Sequence, residues 1–202
     1  MTSEGAGEGA RTGGRRRIAL YGGSFNPPHV AHQMVGLYVL ETASVDELWL
    51  VPAFIHAFGK PLAPFEDRLQ MCALAVAALG ARARVSDVER ELGGPSRTLH
   101  TLHRLRERHP DHEFSLVIGA DLVDEVPSWL GGDELRRTVP FIVVGRGLRR
   151  VAADDERVAM PEVSSTAVRE RLGAGKGVEG LVPRGVLDYI FGRGLYGPAP
   201  RD

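Results

Sequence analysis

Cysteine, long apolar runs and an excess of charge of either sign are all scarce in this sequence of 202 residues. The single cysteine, Cys72, cannot form an intramolecular disulfide, and the N-terminal stretch lacks a secretory apolar segment, so a reducing cytoplasm is expected. No apolar run approaches the roughly 18 residues that a membrane span needs. The 25 basic and 26 acidic residues leave a net charge of -1, which gives no overall electrostatic reason to bind nucleic acid or an anionic membrane. Any charge that binds phosphate must therefore be local.

The hydrophobic content of 43% is enough to build one sizeable core in a chain of this length. Residues 1–16 contain no aliphatic or aromatic side chain larger than alanine after Met1, which predicts a disordered N-terminal tail. We expect a single domain over 17–196 and a short C-terminal tail over 197–202.

From Ile18 onward, short apolar runs alternate with longer amphipathic stretches, a pattern typical of a parallel sheet with crossover helices. The predicted strands are 17–22, 47–53, 83–89, 114–120, 141–146 and, from a weaker pattern, 157–160. The predicted helices are 30–43, 64–79, 96–109, 165–173 and 183–191. The fold class is therefore α/β, a Rossmann-like doubly wound parallel sheet in three layers, in which ligands bind at the carboxyl ends of the strands.

The stretch "GGSFNPPHVAH", residues 22–32, follows the first predicted strand and so lies at the mouth of that cleft. Gly22 and Gly23 let a ligand approach the backbone without meeting a Cβ atom. His29 and His32 are three residues apart, and on a helix that begins near Pro28 both imidazoles share one face beside the positive end of the helix dipole. Two ring donors together with free backbone N–H groups suit a polyphosphate.

The histidines and glycines of the sequence also have plainer interpretations than a phosphate site. A zinc site at His29 and His32 needs further ligands that the local sequence does not supply. His100 and His103 repeat the spacing in the middle of a predicted helix, where a solvated or partly packed face is favoured. The stretch "GAGKG", 173–177, follows a helix and lacks the full phosphate-loop pattern, which indicates a helix stop.

Two motifs carry a resemblance to a known family. "GGSFNPPHVAH" resembles the GGSFxPxHxGH signature of nucleotidyltransferases, and "VSSTAVRERL" resembles their ISSTxxR motif. With "PFEDRLQMCALA" and "PSWLGGDEL" between them, residues 17 to about 192 are similar to the nicotinate-nucleotide adenylyltransferases. The resemblance implies a nucleotidyltransferase-type fold and transfer of AMP from ATP to the phosphate of nicotinic acid mononucleotide, with pyrophosphate as the second product. It also implies Mg²⁺ that is carried by ATP with few or no protein ligands.

The resemblance further implies which residues bind ATP. His29, His32 and Arg169 are the implied catalytic phosphate contacts, and Asp121 is an implied ligand of ribose hydroxyls. A role as a helix cap remains open for Ser164, Ser165 and Thr166, as does a helix-start role for Asp121. The implied ATP-binding residues are Gly22, Gly23, Ser24, Phe25, His29, His32, Gly119, Asp121, Ser164, Ser165, Thr166 and Arg169.

The implied acceptor-binding residues include one aromatic platform. Trp129 corresponds to the residue that stacks on the pyridine ring, although burial as a core tryptophan is the alternative; Trp49, within an apolar strand, is taken as the core tryptophan for contrast. Thr98 corresponds to the threonine of the family's S-Y-T segment, in which Arg97 replaces the tyrosine. The implied set is His56, Lys60, Thr98, Asp121 and Trp129.

Two departures from the family pattern bear on the acceptor. Ala31 stands in place of the last motif glycine and adds only one methyl group. The family's P-H-K cluster is replaced by "FIHAFGKP", so that only His56 and Lys60 remain as equivalent positive groups. The acceptor is therefore left open between nicotinic acid and nicotinamide mononucleotide, with phosphopantetheine or a non-catalytic nucleotide-binding regulatory module as further alternatives. The oligomeric state, a homo-oligomer included, is also open.

Overall fold

A computed structural model describes residues 14–145 and 160–197 of the chain. Its described strands form one sheet in which every pair of neighbours is parallel, in the order β3-β2-β1-β4-β5. The strands are β1 (Arg16–Gly23), β2 (Glu47–Pro52), β3 (Ala83–Val85), β4 (His112–Gly119) and β5 (Phe141–Val144). Leu20 pairs with Trp49 of β2 on one side and with Leu116 of β4 on the other, so β1 is fully enclosed in the sheet.

Helices cover both faces of this sheet. They are α1 (Val30–Thr42), α2 (Phe65–Val76), α3 (Val88–Leu92), α4 (Thr98–Arg108), α5 (Gly132–Thr138), α6 (Ser165–Gly173) and α7 (Arg184–Arg193). Two 3₁₀ helices, Ala77–Arg82 and Ala120–Ser128, follow α2 and β4. None of the helices within 14–145 and 160–197 is long and apolar enough to cross a membrane.

Alternation along the strands separates the core into two halves. Ala19, Leu48 and Leu50 pack with residues of α1 and α2 in one cluster. Their sequence neighbours Leu20 and Trp49 pack with residues of α4 and α5 in another. The fold therefore has the three layers that the strand–helix pattern predicted, because side chains of a strand alternate between its faces. A third cluster joins the outer face of α2 to α6 and α7.

The strand order sets where a ligand binds. The chain proceeds from β1 outward through β2 to β3, then returns to the other side of β1 to form β4 and β5. This reversal between β1 and β4 opens a crevice at their carboxyl ends, the usual binding position in such sheets.

Several observed boundaries differ from the predicted ones. The third strand ends at Val85 rather than at 89, because the Ser86 hydroxyl accepts a hydrogen bond from the Val88 N–H at 3.4 Å where the chain turns into α3. The helix predicted over 64–79 is α-helical only to Val76 and continues as the 3₁₀ helix, in which Gly80 has a φ of 73°. The first strand starts at Arg16, within the predicted tail.

Some predictions fall on residues outside the described ranges. These are 1–13 of the predicted N-terminal tail, 198–202 of the C-terminal tail, 157–159 of the weakest predicted strand, and residue 146 at the end of the strand predicted over 141–146. Met160, the last residue of that strand, donates its N–H to the carbonyl of Gly145 at 3.0 Å.

Candidate functional site

Two cavities meet at the carboxyl ends of β1 and β4. The large cavity, about 420 Å³, lies on the side of α4, and the small cavity, about 180 Å³, lies on the side of α1. Four residues line both: Gly22, Val117, Ile118 and Leu122. A Cβ atom at Gly22 would meet no other atom within 4 Å, so the backbone of β1 borders open space where the two cavities join.

The loop after β1 is shaped by an aromatic ring that packs back onto the strand end. Phe25 is buried with a φ of 45°, a left-handed conformation that residues other than glycine adopt rarely. Its ring would lie 3.2 Å from a Cβ atom at Gly23, which is tighter than ordinary contact. Glycine at 23 therefore allows Phe25 to fold beneath the loop, and Ser24 lines the large cavity beside it.

The two motif histidines are brought together at the start of α1. Their rings stack with centroids 3.7 Å apart, and both line the small cavity. His29 precedes the helix with an extended φ of -140°, so α1 begins at Val30, the first residue of the predicted helix 30–43. The backbone N–H of His29 donates to Nδ1 of His32 at 3.0 Å. Neutral His32 consequently carries its proton on Nε2, which makes that atom a donor.

The second motif docks directly on the first. The Ser165 hydroxyl donates to the carbonyl of Pro27 at 2.8 Å, and Nη1 of Arg169 donates to the carbonyl of Asn26 at 2.7 Å. Ser164 caps α6 by accepting the N–H of Ala167 at 3.1 Å, which confirms its predicted capping role. Residues that are 138 positions apart in sequence, Pro27 and Ser165, thus form one wall.

Within that wall, the Thr166 hydroxyl accepts a hydrogen bond from Nη2 of Arg169 at 3.3 Å. The guanidinium is therefore held from two sides, by a backbone carbonyl and by the first turn of its own helix.

Gly119 and Asp121 line the small cavity at the end of β4. Asp121 lies in the first turn of the 3₁₀ helix Ala120–Ser128. A Cβ atom at residue 119 would come within 2.3 Å of the Asp121 carboxylate, so glycine is required for this close approach. Asp121 therefore lines the small cavity, as do the two motif histidines, and does not line the large cavity.

Of the other residues predicted to bind the acceptor, His56, Thr98 and Trp129 line the large cavity. Trp129 is half-buried and also packs against the core, whereas Trp49 is buried, as expected for a core tryptophan. Lys60 is exposed and is not a lining residue. Between the two residues the chain turns, with the Gly59 N–H donating to the His56 carbonyl and Gly59 at a φ of 67°; of the two, only His56 lines the cavity.

The His56 ring lines the large cavity as a neutral group. Burial and the nearby Lys60 ammonium both lower the pKa of His56. Its Nδ1 also accepts the backbone N–H of Phe58 at 3.0 Å. Both effects favour the neutral form of the ring.

The plainer interpretations of His100, His103 and the "GAGKG" stretch agree with the structure. His100 and His103 are exposed, and His103 contacts Glu134 at 2.7 Å. The "GAGKG" stretch is the end of α6 and the loop after it. Within the described ranges, no group of three or more His, Cys, Asp or Glu side chains is arranged to hold a metal ion.

Arg68 on α2 supports the site but was not predicted to do so. Its side chain is 1% exposed, and it donates to four backbone carbonyls at 2.6 to 3.2 Å. The acceptors are Ala63, Ser24, Ala53 and Phe54. Burial lowers the pKa of Arg68, although an arginine remains charged at any physiological pH. A signal was present: Arg68 shares the helical face of Phe65, Met71 and Cys72, which are all buried.

Comparison with known proteins gives a consistent result. Residues 20–171 match the model of the cytidylyltransferase-like family. A relative from Anaeromyxobacter sp. (strain K), named "Probable nicotinate-nucleotide adenylyltransferase", is 48% identical over 91% of this chain and 98% of its own length. A relative of the same name from Myxococcus xanthus is 39% identical over 90% of this chain and 95% of its own.

Solved structures share the fold. The Plasmodium falciparum nicotinic acid mononucleotide adenylyltransferase complexed with NaAD aligns with a TM-score of 0.77, at 23% identity, over 90% of this chain and 97% of the other. The same enzyme complexed with APC aligns with a TM-score of 0.74, at 22% identity, over the same shares. At these identities the likeness establishes the fold alone.

Replacement of Arg68 by alanine tests the role of its four hydrogen bonds. Because the carbonyls would lose their donor in a buried position, the free energy of unfolding should fall by roughly 3 kcal/mol or more. Chemical denaturation measures the change, and Arg136→Ala, an exposed arginine on α5, should stay within about 0.5 kcal/mol of the unmodified protein. A loss below about 1 kcal/mol in Arg68→Ala would mean that water satisfies the carbonyls equally well.

Proposed function

The chain belongs to the nicotinate-nucleotide adenylyltransferases of the cytidylyltransferase-like family, and from that premise we propose that it transfers AMP from ATP to nicotinic acid mononucleotide. The products are deamido-NAD and pyrophosphate, a step of NAD biosynthesis. The observation that carries the proposal is the junction at Gly22, where two cavities meet beneath a wall formed by both sequence motifs.

The small cavity suits ATP. Its walls hold His29 and His32 at the positive end of α1, which favours phosphate oxygens. The Asp121 carboxylate lines the same cavity, and its oxygens can accept hydrogen bonds from ribose hydroxyls. At the neighbouring helix start, Arg169 and the first turn of α6 can hold the terminal phosphates, since a guanidinium forms two parallel hydrogen bonds with phosphate oxygens. The capping bond of Ser164 is compatible with this role.

The large cavity suits the mononucleotide acceptor. The Trp129 indole offers a flat face for the pyridine ring, and Thr98 begins α4, whose N-terminal N–H groups favour a carboxylate. The backbone of Gly23 and Ser24 lines the opposite end, toward the shared Gly22. An acceptor with its ring at Trp129 directs its phosphate to the junction with ATP.

The reaction needs no nucleophile from the protein. An oxygen of the acceptor phosphate attacks the α-phosphorus of ATP, and the bond from that phosphorus to the oxygen that bridges the α- and β-phosphates breaks, so that this oxygen leaves as a terminal oxygen of pyrophosphate. The protein aligns the two phosphates and stabilises the charge that develops on the leaving pyrophosphate, for which Nε2–H of His32 and the Arg169 guanidinium are the donors. Mg²⁺ enters with ATP as part of the substrate.

We also propose a cytoplasmic setting. ATP is abundant there, and Cys72 is a buried free thiol, as is usual in a reducing compartment.

The decisive assay supplies ATP and Mg²⁺ with one acceptor at a time and measures pyrophosphate release. Nicotinic acid mononucleotide should give the highest kcat/KM, ahead of nicotinamide mononucleotide and phosphopantetheine. Binding of ATP without pyrophosphate release from any acceptor would instead identify a regulatory nucleotide-binding module.

His32→Ala should lower turnover at least about a hundredfold, the usual effect of losing one preorganised donor to developing charge. The measurement is kcat for pyrophosphate release, with folding checked by the thermal unfolding midpoint. The double variant His100→Ala/His103→Ala removes two exposed imidazoles at the same spacing and should stay within a few fold of normal. Near-normal turnover in folded His32→Ala would exclude the phosphate role.

Arg169→Lys retains the charge but loses the planar pair of donors, so it should raise KM for ATP and change KM for the acceptor little. Steady-state kinetics with each substrate varied in turn measures both constants. Arg171→Lys, two residues further along α6 and exposed, is the matched control. A rise confined to the acceptor KM would assign Arg169 to the other substrate.

Trp129→Ala should weaken nicotinic acid and nicotinamide mononucleotides by a similar factor, on the order of 1 kcal/mol, because stacking depends little on the ring substituent. Comparison of kcat/KM for the two acceptors measures the effect, and Trp129→Phe should recover part of it. Unequal losses for the two acceptors would contradict a pure stacking role.

A further inference from the structure

Arg97 occupies a fixed backbone position at the edge of the large cavity. The segment before it is held by two bonds across the loop after β2: the Ser96 N–H donates to the Ile55 carbonyl at 2.9 Å, and the Ser96 hydroxyl accepts the Phe54 N–H at 2.9 Å. On the other side, the Arg97 carbonyl accepts the N–H of Thr101 in the first turn of α4 at 3.1 Å. The side chain of Arg97 is thus anchored at its base and lines the cavity.

The Arg97 guanidinium is not engaged by the described part of the protein. It is half-buried, yet it forms no hydrogen bond or ion pair with residues 14–145 or 160–197. Nearby arginines behave differently: Arg90 contacts Glu66 at 2.8 Å, and Arg108 is paired with Glu91. Arg97 therefore keeps its donors available to a ligand.

The remaining charge in the cavity makes this cation significant. Glu89, which is buried, and Glu125, which is exposed, both line the wall. The neighbouring His56 is neutral, because burial and Lys60 lower its pKa. Among the described lining residues, Arg97 is consequently the one permanent cation, in a cavity that also holds two carboxylates.

Packing assigns Arg97 to the end of the cavity where Trp129 lies. A Cβ atom at Gly131 would come within 2.2 Å of Leu99 Cδ2, so the first turn of α4 lies directly against the chain that follows Trp129. The phosphate end, at Gly23 and Ser24, is formed by a different loop. We take the group that meets Arg97 to be a substituent on a ring stacked at Trp129, since the first turn of α4 packs beside that residue.

We propose that Arg97 is a specificity-determining residue that pairs with the ring carboxylate of nicotinic acid mononucleotide and so selects it over the nicotinamide analogue. The inference rests on the proposed function. A carboxylate gains a charge-assisted hydrogen bond from the guanidinium, whereas the uncharged amide gains little. Without that cation, Glu89 and Glu125 would disfavour a third carboxylate in the same cavity, and specificity is the difference between the affinities for the two mononucleotides.

The test replaces Arg97 by glutamine, which removes the charge and retains a polar side chain, and by lysine, which retains the charge. For each variant, kcat/KM is measured with both mononucleotides at saturating ATP. Dissociation constants are measured in parallel from quenching of tryptophan fluorescence by each mononucleotide alone. Arg104→Gln, an exposed arginine of the same helix, makes the same charge change outside the cavity.

In Arg97→Gln, kcat/KM and affinity for nicotinic acid mononucleotide should fall at least tenfold, while the values for the nicotinamide analogue change less than threefold. Arg97→Lys should retain most of the preference, and Arg104→Gln should retain all of it. KM for ATP should be unchanged throughout. An equal loss with both acceptors, or an unchanged ratio, overturns the inference and leaves the proposed function intact. Failure of the unmodified protein to turn over either acceptor overturns the proposed function, and the ratio of dissociation constants then judges Arg97 separately.

Discussion

The geometry of the site depends on one buried cation. Arg68 reaches from α2 beneath the ends of β1 and β2, and its guanidinium donates to carbonyls of both following loops, at Ser24 on one side and at Ala53 and Phe54 on the other. The planar fork has fixed angles between its donors, so it sets the separation of the two loops as well as their stability. One loop carries the motif histidines, and the other borders the large cavity.

A second polar centre extends this constraint to the end of the chain. The Asn26 side-chain oxygen accepts the N–H of Ala63 at 3.0 Å and the hydroxyl of Tyr196 at 2.8 Å, while its backbone carbonyl accepts Arg169. Burial raises the pKa of Tyr196, which keeps its hydroxyl protonated as a donor. A single loop residue therefore joins the segment before α2, helix α6 and the segment after α7. This is why motifs distant in sequence can act as one wall.

The sequence was sufficient for the features that local patterns encode. Buried parallel strands are continuous apolar runs, so β2 and β4 were predicted within two residues, and the glycines after β1 indicated the crevice. Short helices such as α3 and α5 were missed, because five to seven residues carry too little periodicity. The sequence pattern also could not predict which basic side chains line the cavity. Lys60 and Arg97 are both basic residues in the stretches predicted to bind the acceptor, but only Arg97, which follows the anchored Ser96, lines the large cavity.

Three arginines of this chain differ in what their guanidinium N–H groups contact. The Arg68 guanidinium donates hydrogen bonds to backbone carbonyls and is buried, so it contributes to structure and cannot reach a ligand. Arg169 donates to the Asn26 carbonyl and the Thr166 hydroxyl and is half-buried. These two hydrogen bonds fix its position and leave further guanidinium N–H groups for a ligand. The Arg97 guanidinium forms no hydrogen bond with the described residues and lines a cavity that holds two carboxylates.

A partly desolvated cation without a partner is energetically unfavourable in the unliganded protein. An anionic ligand that supplies the missing partner therefore gains affinity that a neutral analogue cannot, because the cost of desolvating the arginine has already been met by the fold.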